Sequence, residues 1–353
     1  MSPPTEAPRL PLPPGLDPAR AADRSYRPDA GSVFEAASAW RRQQAIRPAG
    51  EDRRKTRLLL VDMQKDFSYP DGALHVGGRS GQGALEDSER ICRFILENLA
   101  RITSITCTLD THVPHQIFFP SFWVDREGRP LAPHREVLAG EVRRGDARPG
   151  PAAAWASPGG PGWLEAYAEH YSAELERGGK YRLYLWPFHC LLGTDGHELV
   201  GAVAEACLFH AFARGAPAAM VAKGSDPLTE HYSVLAPEVL AAHDGTPVGR
   251  RNERLLDDLL AADRLVVAGE AASHCVRYTL EDLLREIRRR DERLAGKVYI
   301  LEDCMSSVAV PDPAAPGRFL FDFTDAAREA LEGFRAAGMH VVSSATPMEE
   351  WPL

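Results

Sequence analysis

Cys275 combines a nucleophilic side chain with a position that could activate it. It follows an apolar, strand-like run at residues 265–268 and a short stretch of small residues, and it opens a predicted helix. A helix N-terminus carries partial positive charge and unpaired backbone N–H groups, which favour a thiolate and can hold a developing oxyanion. Because a free cysteine is more often a small buried hydrophobic residue, this segment alone leaves both interpretations open.

Reactive residue types also follow the four other apolar runs that precede the cysteine segment. In chain order they are Asp62, then Asp110 with His112, then His189, and then Lys223. Ligands and catalytic groups of doubly wound folds gather at the carboxyl ends of the strands. The sequence therefore predicts that these side chains meet Cys275 at one edge of a sheet.

The elements that must position these residues alternate along the chain from residue 57. Apolar strand-like runs and amphipathic helical patterns follow one another, which predicts a doubly wound, three-layer α/β/α fold with a mostly parallel six-stranded sheet. The predicted strands are 57–61, 104–109, 182–186, 218–222, 264–268 and 297–301, with a short edge strand at 340–343. The predicted helices are 83–101, 196–214, 253–262, 273–290 and 324–337.

Two segments fall outside this alternation. Residues 1–50 are rich in proline at first and contain one helical candidate, so we expect an N-terminal arm that wraps a neighbour or stays partly disordered. The main domain then spans residues 51–353, with an insertion at about 120–180 that is rich in proline and glycine. Long irregular insertions are more often functional or interfacial than idle, so we expect a cap over the pocket or a subunit contact.

Composition excludes several classes of function. The formal net charge of −9 argues against nucleic-acid binding, because phosphate contacts need a basic face. No apolar run approaches the roughly 18 residues that span a bilayer, and the N-terminus lacks a signal-peptide core. The six cysteines include no CxxC pair, so neither a disulfide framework nor a zinc ribbon is expected. We expect a cytoplasmic protein without nucleic-acid or membrane partners.

In order and together, the motifs around these residues resemble the nicotinamidase/isochorismatase superfamily of cysteine hydrolases. The motifs are Asp62-x-Gln64-x-Asp66-Phe67, Asp110-x-His112, Trp186-Pro187-x-His189-Cys190, Gly193-Thr194-x-Gly196, Lys223-Gly224 with Tyr232-Ser233 following, and Gly269-x-Ala271-x-x-His274-Cys275-Val276. The resemblance covers residue 57 to the C-terminus apart from the insertion. It implies an isochorismatase-like fold and a homo-oligomer.

The resemblance implies an Asp/Lys/Cys triad at Asp62, Lys223 and Cys275. Asp62 would accept the thiol proton and return it to the leaving amine, and Lys223 would lower the thiol pKa. Cys275 would attack a carbonyl to form a thioester, which water then hydrolyses. The N–H groups of Ala271 and Cys275 would form the oxyanion hole, and the peptide bond before Ala271 would be cis.

A second site is implied by the nicotinamidase pattern of one aspartate and two histidines. Here it falls on Asp110, His112 and His189, which suit zinc or a similar divalent ion. The alternative is a hydrogen-bonded aspartate with two structural histidines, because many family members lack a metal. The nicotinamidase segment usually has a second histidine shortly after the first, and Gln116 and two phenylalanines occupy that stretch here.

Three further residues are predicted at the substrate pocket. Phe67 and Trp186 could sandwich a flat substrate, although aromatic residues at such positions are more often plain core. Glu270 would stand beside the oxyanion hole and select a polar, neutral or cationic amide. The alternative for Glu270 is a side chain turned into a subunit interface.

These residues favour a cysteine amidohydrolase that cleaves a small carboxamide, with nicotinamide as the best single substrate. One alternative is a metal-free, isochorismatase-like hydrolase of another amide, a ureide or a vinyl ether. A metal-only hydrolase with a structural Cys275, and an inactive binding scaffold that keeps the fold, also stay open at this point.

Overall fold

A parallel six-stranded sheet forms the centre of the molecule. The computed structural model describes residues 9–178, 180–312 and 314–352. Its strands are β1 (Thr56–Val61), β2 (Ser104–Asp110), β3 (Trp123–Val124), β4 (Arg135–Glu136), β5 (Arg148–Pro149), β6 (Tyr184–Leu185), β7 (Ala219–Lys223), β8 (Arg264–Gly269), β9 (Val298–Leu301), β10 (Ala309–Pro311), β11 (Phe319–Asp322) and β12 (His340–Val342). The central sheet has the order β12-β9-β8-β1-β2-β7, and every neighbouring pair in it is parallel. The predicted fold class is confirmed.

Helices cover both faces of this sheet. They are α1 (Ala30–Gln43), α2 (Lys65–Ser68), α3 (Gly83–Glu97), α4 (Ala139–Arg143), α5 (Pro161–Gly178), α6 (Gly201–Arg214), α7 (Glu253–Leu260), α8 (Cys275–Arg290) and α9 (Thr324–Ala336). Short 3-10 turns lie at Pro18–Ala22, Ala49–Glu51, Pro120–Phe122, Pro151–Ala156, Asp195–His197, Glu292–Lys297 and Met348–Glu350. Among the described residues, no helix combines the length and apolarity that spanning a membrane requires.

The central strand β1 shows why the sheet is buried on both faces. Leu58 and Leu60 pack on one side with residues of α1, α3 and α6, whereas Leu59 and Val61 pack on the other side with residues of α7, α8 and α9. All four side chains are fully buried. Successive strand residues point to opposite faces, so a continuous apolar run suits a strand covered on both sides.

One predicted strand does not belong to the central sheet. The segment predicted as a strand at 182–186 contains only the two-residue β6, which pairs antiparallel with β4 outside the sheet. β7 lies beside β2 at one edge of the central sheet, and β12 completes the six strands at the opposite edge. Pro187 lies two residues after the end of β6 and cannot donate a ladder hydrogen bond, which is consistent with so short a strand.

The N-terminal segment packs against its own chain, whereas an arm that wraps a neighbour or stays partly disordered was expected. From residue 9 onward it lies over α3 and α6, and Val33, Ala37 and Trp40 of α1 join the same apolar core as the sheet. The Leu10 N–H also donates a backbone hydrogen bond to Glu97 O. Residues 1–8 lie outside the described part of the chain. The segment therefore adds a layer to the α1/α3/α6 face.

The insertion builds a satellite core of its own. Buried aromatic and aliphatic residues of the segment between β2 and β6 pack together beside the carboxyl edge of the sheet, with Trp123, Tyr167 and Tyr171 among the largest. Two small antiparallel pairs, β3 with β5 and β4 with β6, hold its loops in place. A further hairpin, β10 with β11, was not expected from the sequence.

Candidate active site

The nucleophile segment lies where the strand order reverses. From β1 the chain adds β2 and β7 on one side, and from β8 it adds β9 and β12 on the other, so the switch point falls between β1 and β8. Asp62 follows β1, and Gly269, which pairs with Val61, ends β8. Gly269 has a φ of 121°, and a Cβ there would lie 2.1 Å from Val61 O. A crevice at a switch point is the usual ligand site of such sheets.

The three predicted triad residues meet in this crevice. Lys223 Nζ lies 2.9 Å from Asp62 Oδ2 and 3.5 Å from Cys275 Sγ. The pairing of β2 with β7 places Asp110 opposite Lys223, and its Oδ1 also lies 2.9 Å from Nζ. All four side chains are buried. The lysine is thus held between two carboxylates and beside the thiol.

Burial dominates the electrostatics of this cluster. Burial raises the pKa of Asp62. Lys223 opposes this increase, and Asp110 adds to it. Burial also raises the pKa of Cys275 well above its ordinary value, although Lys223 acts in the opposite direction. Lys223 thus lowers the thiol pKa as expected, but the larger effect of desolvation leaves that pKa raised. For Lys223, burial is outweighed by Asp110 and Asp62, which raise its pKa well above its ordinary value.

Neighbouring side chains hold the two carboxylates in position. Thr108 Oγ1 accepts a hydrogen bond from Asp62 N at 3.0 Å and donates to Asp62 Oδ1. Asp62 itself has a φ of 47°, in the left-handed region that a residue with a side chain adopts at a cost. Gln64 brackets Asp110, since its Nε2 donates to Asp110 O and its Oε1 accepts from Asp110 N. In the Asp-x-Gln motif, the first residue is thus held by Thr108, and the third residue holds the backbone of Asp110.

Asp110, His112 and His189 form a compact buried group. Their ligand atoms all lie within 4.8 Å of one another. Asp110 Oδ2 lies 2.9 Å from His112 Nε2 and 3.5 Å from His189 Nε2. His189 lies in a loop. Backbone hydrogen bonds of Cys190 and Leu192 with His112 hold this loop in place.

The outer hydrogen bonds of the two histidines leave their Nε2 atoms available to a ligand. His112 Nδ1 lies 3.0 Å from Gly224 O, and His189 Nδ1 lies 2.8 Å from Pro187 O. A carbonyl at Nδ1 favours the tautomer that carries its proton there, which is the usual support of a metal-binding histidine. The donor set therefore fits a divalent ion, with one carboxylate and two imidazoles.

Cys275 begins α8 at the floor of the site. Neither its backbone N–H nor that of Ala271 donates a hydrogen bond to any described residue. Both residues line the same cavity. The Glu270–Ala271 peptide bond is cis, as the resemblance implied.

The cavity over Cys275 has a volume of about 40 Å³. Of the predicted pocket residues, Phe67 and Trp186 line it. Residues that were not predicted to line the pocket complete the wall: Leu74, Val76, Glu230, His231, Tyr232, His274 and Val308. Glu230 is a buried carboxyl whose pKa is raised well above its ordinary value by burial and by Glu238. In the sequence, only the position of Glu230 a few residues after Lys223 could have indicated that it lies at the pocket.

Glu270 is not part of this wall, which corrects the expected role in substrate selection. Its side chain is fully buried on the other side of the loop, and Glu270 Oε2 accepts a hydrogen bond from Ser306 N at 3.2 Å. Burial raises the pKa of Glu270 well above its ordinary value, and the nearby Asp87 carboxyl, within hydrogen-bonding reach, raises it further. Ser306 Oγ and Arg90 both donate to Asp87. Two carboxyl groups in contact share one proton most readily.

A known protein shares part of this sequence. The nicotinamidase of Escherichia coli (strain K12) is 32% identical over 124 residues, which cover 33% of this chain and 44% of that protein. The match thus spans less than half the length of the relative. No protein-family model matches the chain.

Solved structures resemble the fold. The yeast nicotinamidase bound to the inhibitor nicotinaldehyde has 19% identity and a TM-score of 0.49, with 82% of this chain and 99% of that chain covered. The pyrazinamidase of Pyrococcus horikoshii in complex with zinc has 22% identity and a TM-score of 0.41, with the coverage again 82% and 99%. Over part of its sequence the chain is thus similar to a nicotinamidase, and its parallel sheet is consistent with that similarity.

Proposed function

We propose that this protein is a cysteine amidohydrolase that cleaves a small, nicotinamide-like carboxamide to a carboxylic acid and ammonia. The observation that carries the proposal is the contact of Lys223 with both Asp62 and Cys275 at the switch point of the sheet. A nucleophile, a base and a cation buried together in a crevice are the parts that acyl transfer requires.

In the first half of the reaction, Asp62 takes the thiol proton as Cys275 Sγ attacks the carbonyl carbon. The raised pKa of Asp62 suits this transfer, because a stronger base is needed for a thiol whose own pKa is raised by burial. The negative charge on the carbonyl oxygen is received by the N–H groups of Ala271 and Cys275. Asp62 then gives its proton to the nitrogen, the C–N bond breaks, and ammonia leaves a thioester.

In the second half, Asp62 takes a proton from water, and the hydroxide attacks the thioester carbonyl. The same two N–H groups hold the oxyanion while the C–S bond breaks. The proton returns from Asp62 to the sulfur, which restores the thiol. Throughout, Lys223 keeps a positive charge beside whichever of Asp62 and Cys275 is ionised.

Asp110, His112 and His189 are proposed to hold one divalent metal ion, with zinc as the first choice. When bound, such an ion would supply a Lewis acid at the cavity wall. The backbone carbonyls at both Nδ1 atoms, which favour a proton on Nδ1 and an unprotonated Nε2 facing Asp110, support this assignment. A metal-free protein of full activity would favour the alternative of an isochorismatase-like hydrolase without a metal.

The proposal is tested by ammonia release from a panel of small amides that includes nicotinamide. We expect turnover by the wild type and a loss of activity of at least about 10³-fold in Cys275→Ser, because a serine hydroxyl is a far weaker nucleophile than a cysteine thiol. Cys92→Ala, a buried thiol remote from the crevice, is the matched control and should keep its activity. Equal rates in wild type and Cys275→Ser would contradict the proposal and favour a metal-only hydrolase.

A homo-oligomeric state and a cytoplasmic location stay predictions. The first is supported by β7, which is the terminal strand of the sheet and leaves Met220 half exposed. Light scattering on the purified protein measures the number of chains directly.

A further inference from the structure

A second cavity opens directly beside the one that contains Cys275. It has a volume of about 270 Å³, and we call it the vestibule. The two cavities share four wall residues, which are Trp186, Tyr232, His274 and Val308. The vestibule is therefore adjacent to the reaction site.

The relative sizes of the two cavities limit what each can hold. At about 40 Å³, the cavity over Cys275 has room for only a few water molecules, each of which needs roughly 10–15 Å³ of cavity space. It accommodates a carboxamide group but not the ring attached to it. Only with the vestibule does the site reach the lower end of the range of ~300–1,000 Å³ that small-ligand pockets occupy. The remainder of a bound substrate must therefore lie in the vestibule.

The vestibule is lined mainly by aromatic rings in mutual contact. Tyr184 meets Trp186 and Phe321 with ring centroids 4.5 and 5.7 Å apart. Phe323 lies 5.0 Å from His274. Such tilted and edge-to-face rings accept a flat ring by further offset or edge contacts.

The charges at the vestibule cancel or are absent. Glu136 and Arg182 at the rim form an ion pair with each other at 3.1 Å. Burial lowers the pKa of His274 to about 3, so its imidazole is neutral at physiological pH. The aromatic wall therefore offers no net charge to a ligand, which favours an uncharged, apolar group.

Elements outside the central sheet build this wall. Tyr181 and Tyr184 belong to the segment that returns from the insertion, and Phe321 belongs to the β10–β11 hairpin. Tyr181 also ties the wall to the nucleophile loop, because its hydroxyl donates to Ser273 O at 3.0 Å. The insertion and the hairpin together thus shape the space next to Cys275.

We propose that the vestibule binds the distal part of the acyl group, so that the preferred substrate is a primary carboxamide on an extended, uncharged aromatic group of two rings. This inference rests on the proposed function, because ammonia as the leaving group needs no room and the extra volume must then serve the acyl side. Phe321 at the mouth and Tyr184 behind it are the specificity-determining residues.

The test compares 2-naphthamide with benzamide by the ratio of their kcat/KM values. We expect a ratio of at least about 10 in the wild type and about a tenfold lower ratio in Phe321→Ala. Discrimination of this size is what apolar contacts in a single region of a pocket provide. Leu320→Ala is the matched control, since Leu320 is the neighbouring residue, is 55% exposed and does not line the vestibule. It should leave the ratio unchanged. A wild-type ratio of one or less, or a ratio that Phe321→Ala does not alter, overturns the inference.

Calorimetric binding to Cys275→Ser separates this inference from the proposed function. If the variant binds 2-naphthamide about tenfold more tightly than benzamide while the wild type hydrolyses neither, the vestibule assignment stands and the amidase proposal fails. If the wild type hydrolyses benzamide and nicotinamide but Cys275→Ser binds all three amides equally, the amidase proposal stands and the vestibule assignment fails.

Discussion

Asp110 and Lys223 share an ion pair that joins the two parts of the site. Oδ1 of Asp110 lies 2.9 Å from Lys223 Nζ, whereas Oδ2 of the same carboxylate lies 2.9 Å from His112 Nε2. The lysine that contacts the thiol is thus held by a residue of the candidate metal group. The register of β2 and β7 places the two residues opposite each other, so this link follows from the sheet itself.

Substitutions at Asp110 and His189 should separate the two roles of this carboxylate. We expect Asp110→Asn and His189→Ala each to weaken zinc binding by at least about tenfold, because each removes one of three ligands. Only Asp110→Asn also removes a counter-charge from the buried lysine, so it should lower the melting temperature more. Zinc content after dialysis against limiting metal, measured by mass spectrometry, and thermal unfolding check the two effects. Equal zinc content in wild type and His189→Ala would contradict the metal assignment.

Removal of the lysine charge should shift the pH dependence of the reaction. Lys223 lowers the pKa of Asp62, against the larger effect of burial, so Lys223→Met should raise that pKa further. The base is active only when deprotonated, and the acidic limb of kcat/KM should therefore move to higher pH, with activity lower by about 10²- to 10³-fold. Lys297→Met, remote from the crevice, is the control. An unchanged acidic limb would show that Asp62 does not titrate in the free enzyme.

The resting state of the nucleophile should be a thiol. Since burial raises the pKa of Cys275 well above its ordinary value, we expect its alkylation by iodoacetamide to accelerate up to and beyond about pH 8.5, the ordinary thiol range. Mass spectrometry of the labelled peptide, with Cys275→Ser to identify background labelling, measures the rate. Rapid labelling that does not change between pH 6 and 8 would instead indicate a resting thiolate.

Glu270 should make the protein less stable as the pH rises. The folded chain keeps the Glu270 proton, whereas the unfolded chain loses it above about pH 4.3. Between that pH and the raised pKa of the folded state, the free energy of unfolding therefore falls by up to about 1.4 kcal/mol per pH unit. Glu270→Gln removes this term and should melt at a higher temperature than the wild type at pH 8 but not at pH 4. Glu329→Gln, an exposed glutamate, is the control. A difference in melting temperature that does not depend on pH would contradict the buried, protonated state.

Much of the site was predictable because strand ends are visible in a sequence. Asp62, Lys223 and the residues of the Cys275 loop each follow an apolar run, and parallel strands deliver their carboxyl ends to one edge. The three-layer fold followed from the same alternation. These features are local patterns repeated along the chain, and the tertiary structure adds only the order of the strands in the sheet.

The backbone conformation of the segment before His189 could not be predicted in this way. This segment has the apolar, aromatic composition of a strand, yet it forms only the two-residue β6 beside β4. Whether an apolar run joins the central sheet depends on competition with other runs for the edge of β2, and β7 occupies that edge. Packing between distant segments decided this outcome.

The sequence by itself determined which residues could perform the chemistry and at which edge of the sheet they would gather, because side-chain type and strand period are local properties. Only the tertiary structure decided which way Glu270 points, that the N-terminal segment covers α3 and α6, and that Tyr184 and Phe321 enclose space next to Cys275. Each of these depends on contacts between residues far apart in the chain. The orientation of a side chain beside a loop, and the shape of a cavity between segments, exist only once those segments pack together.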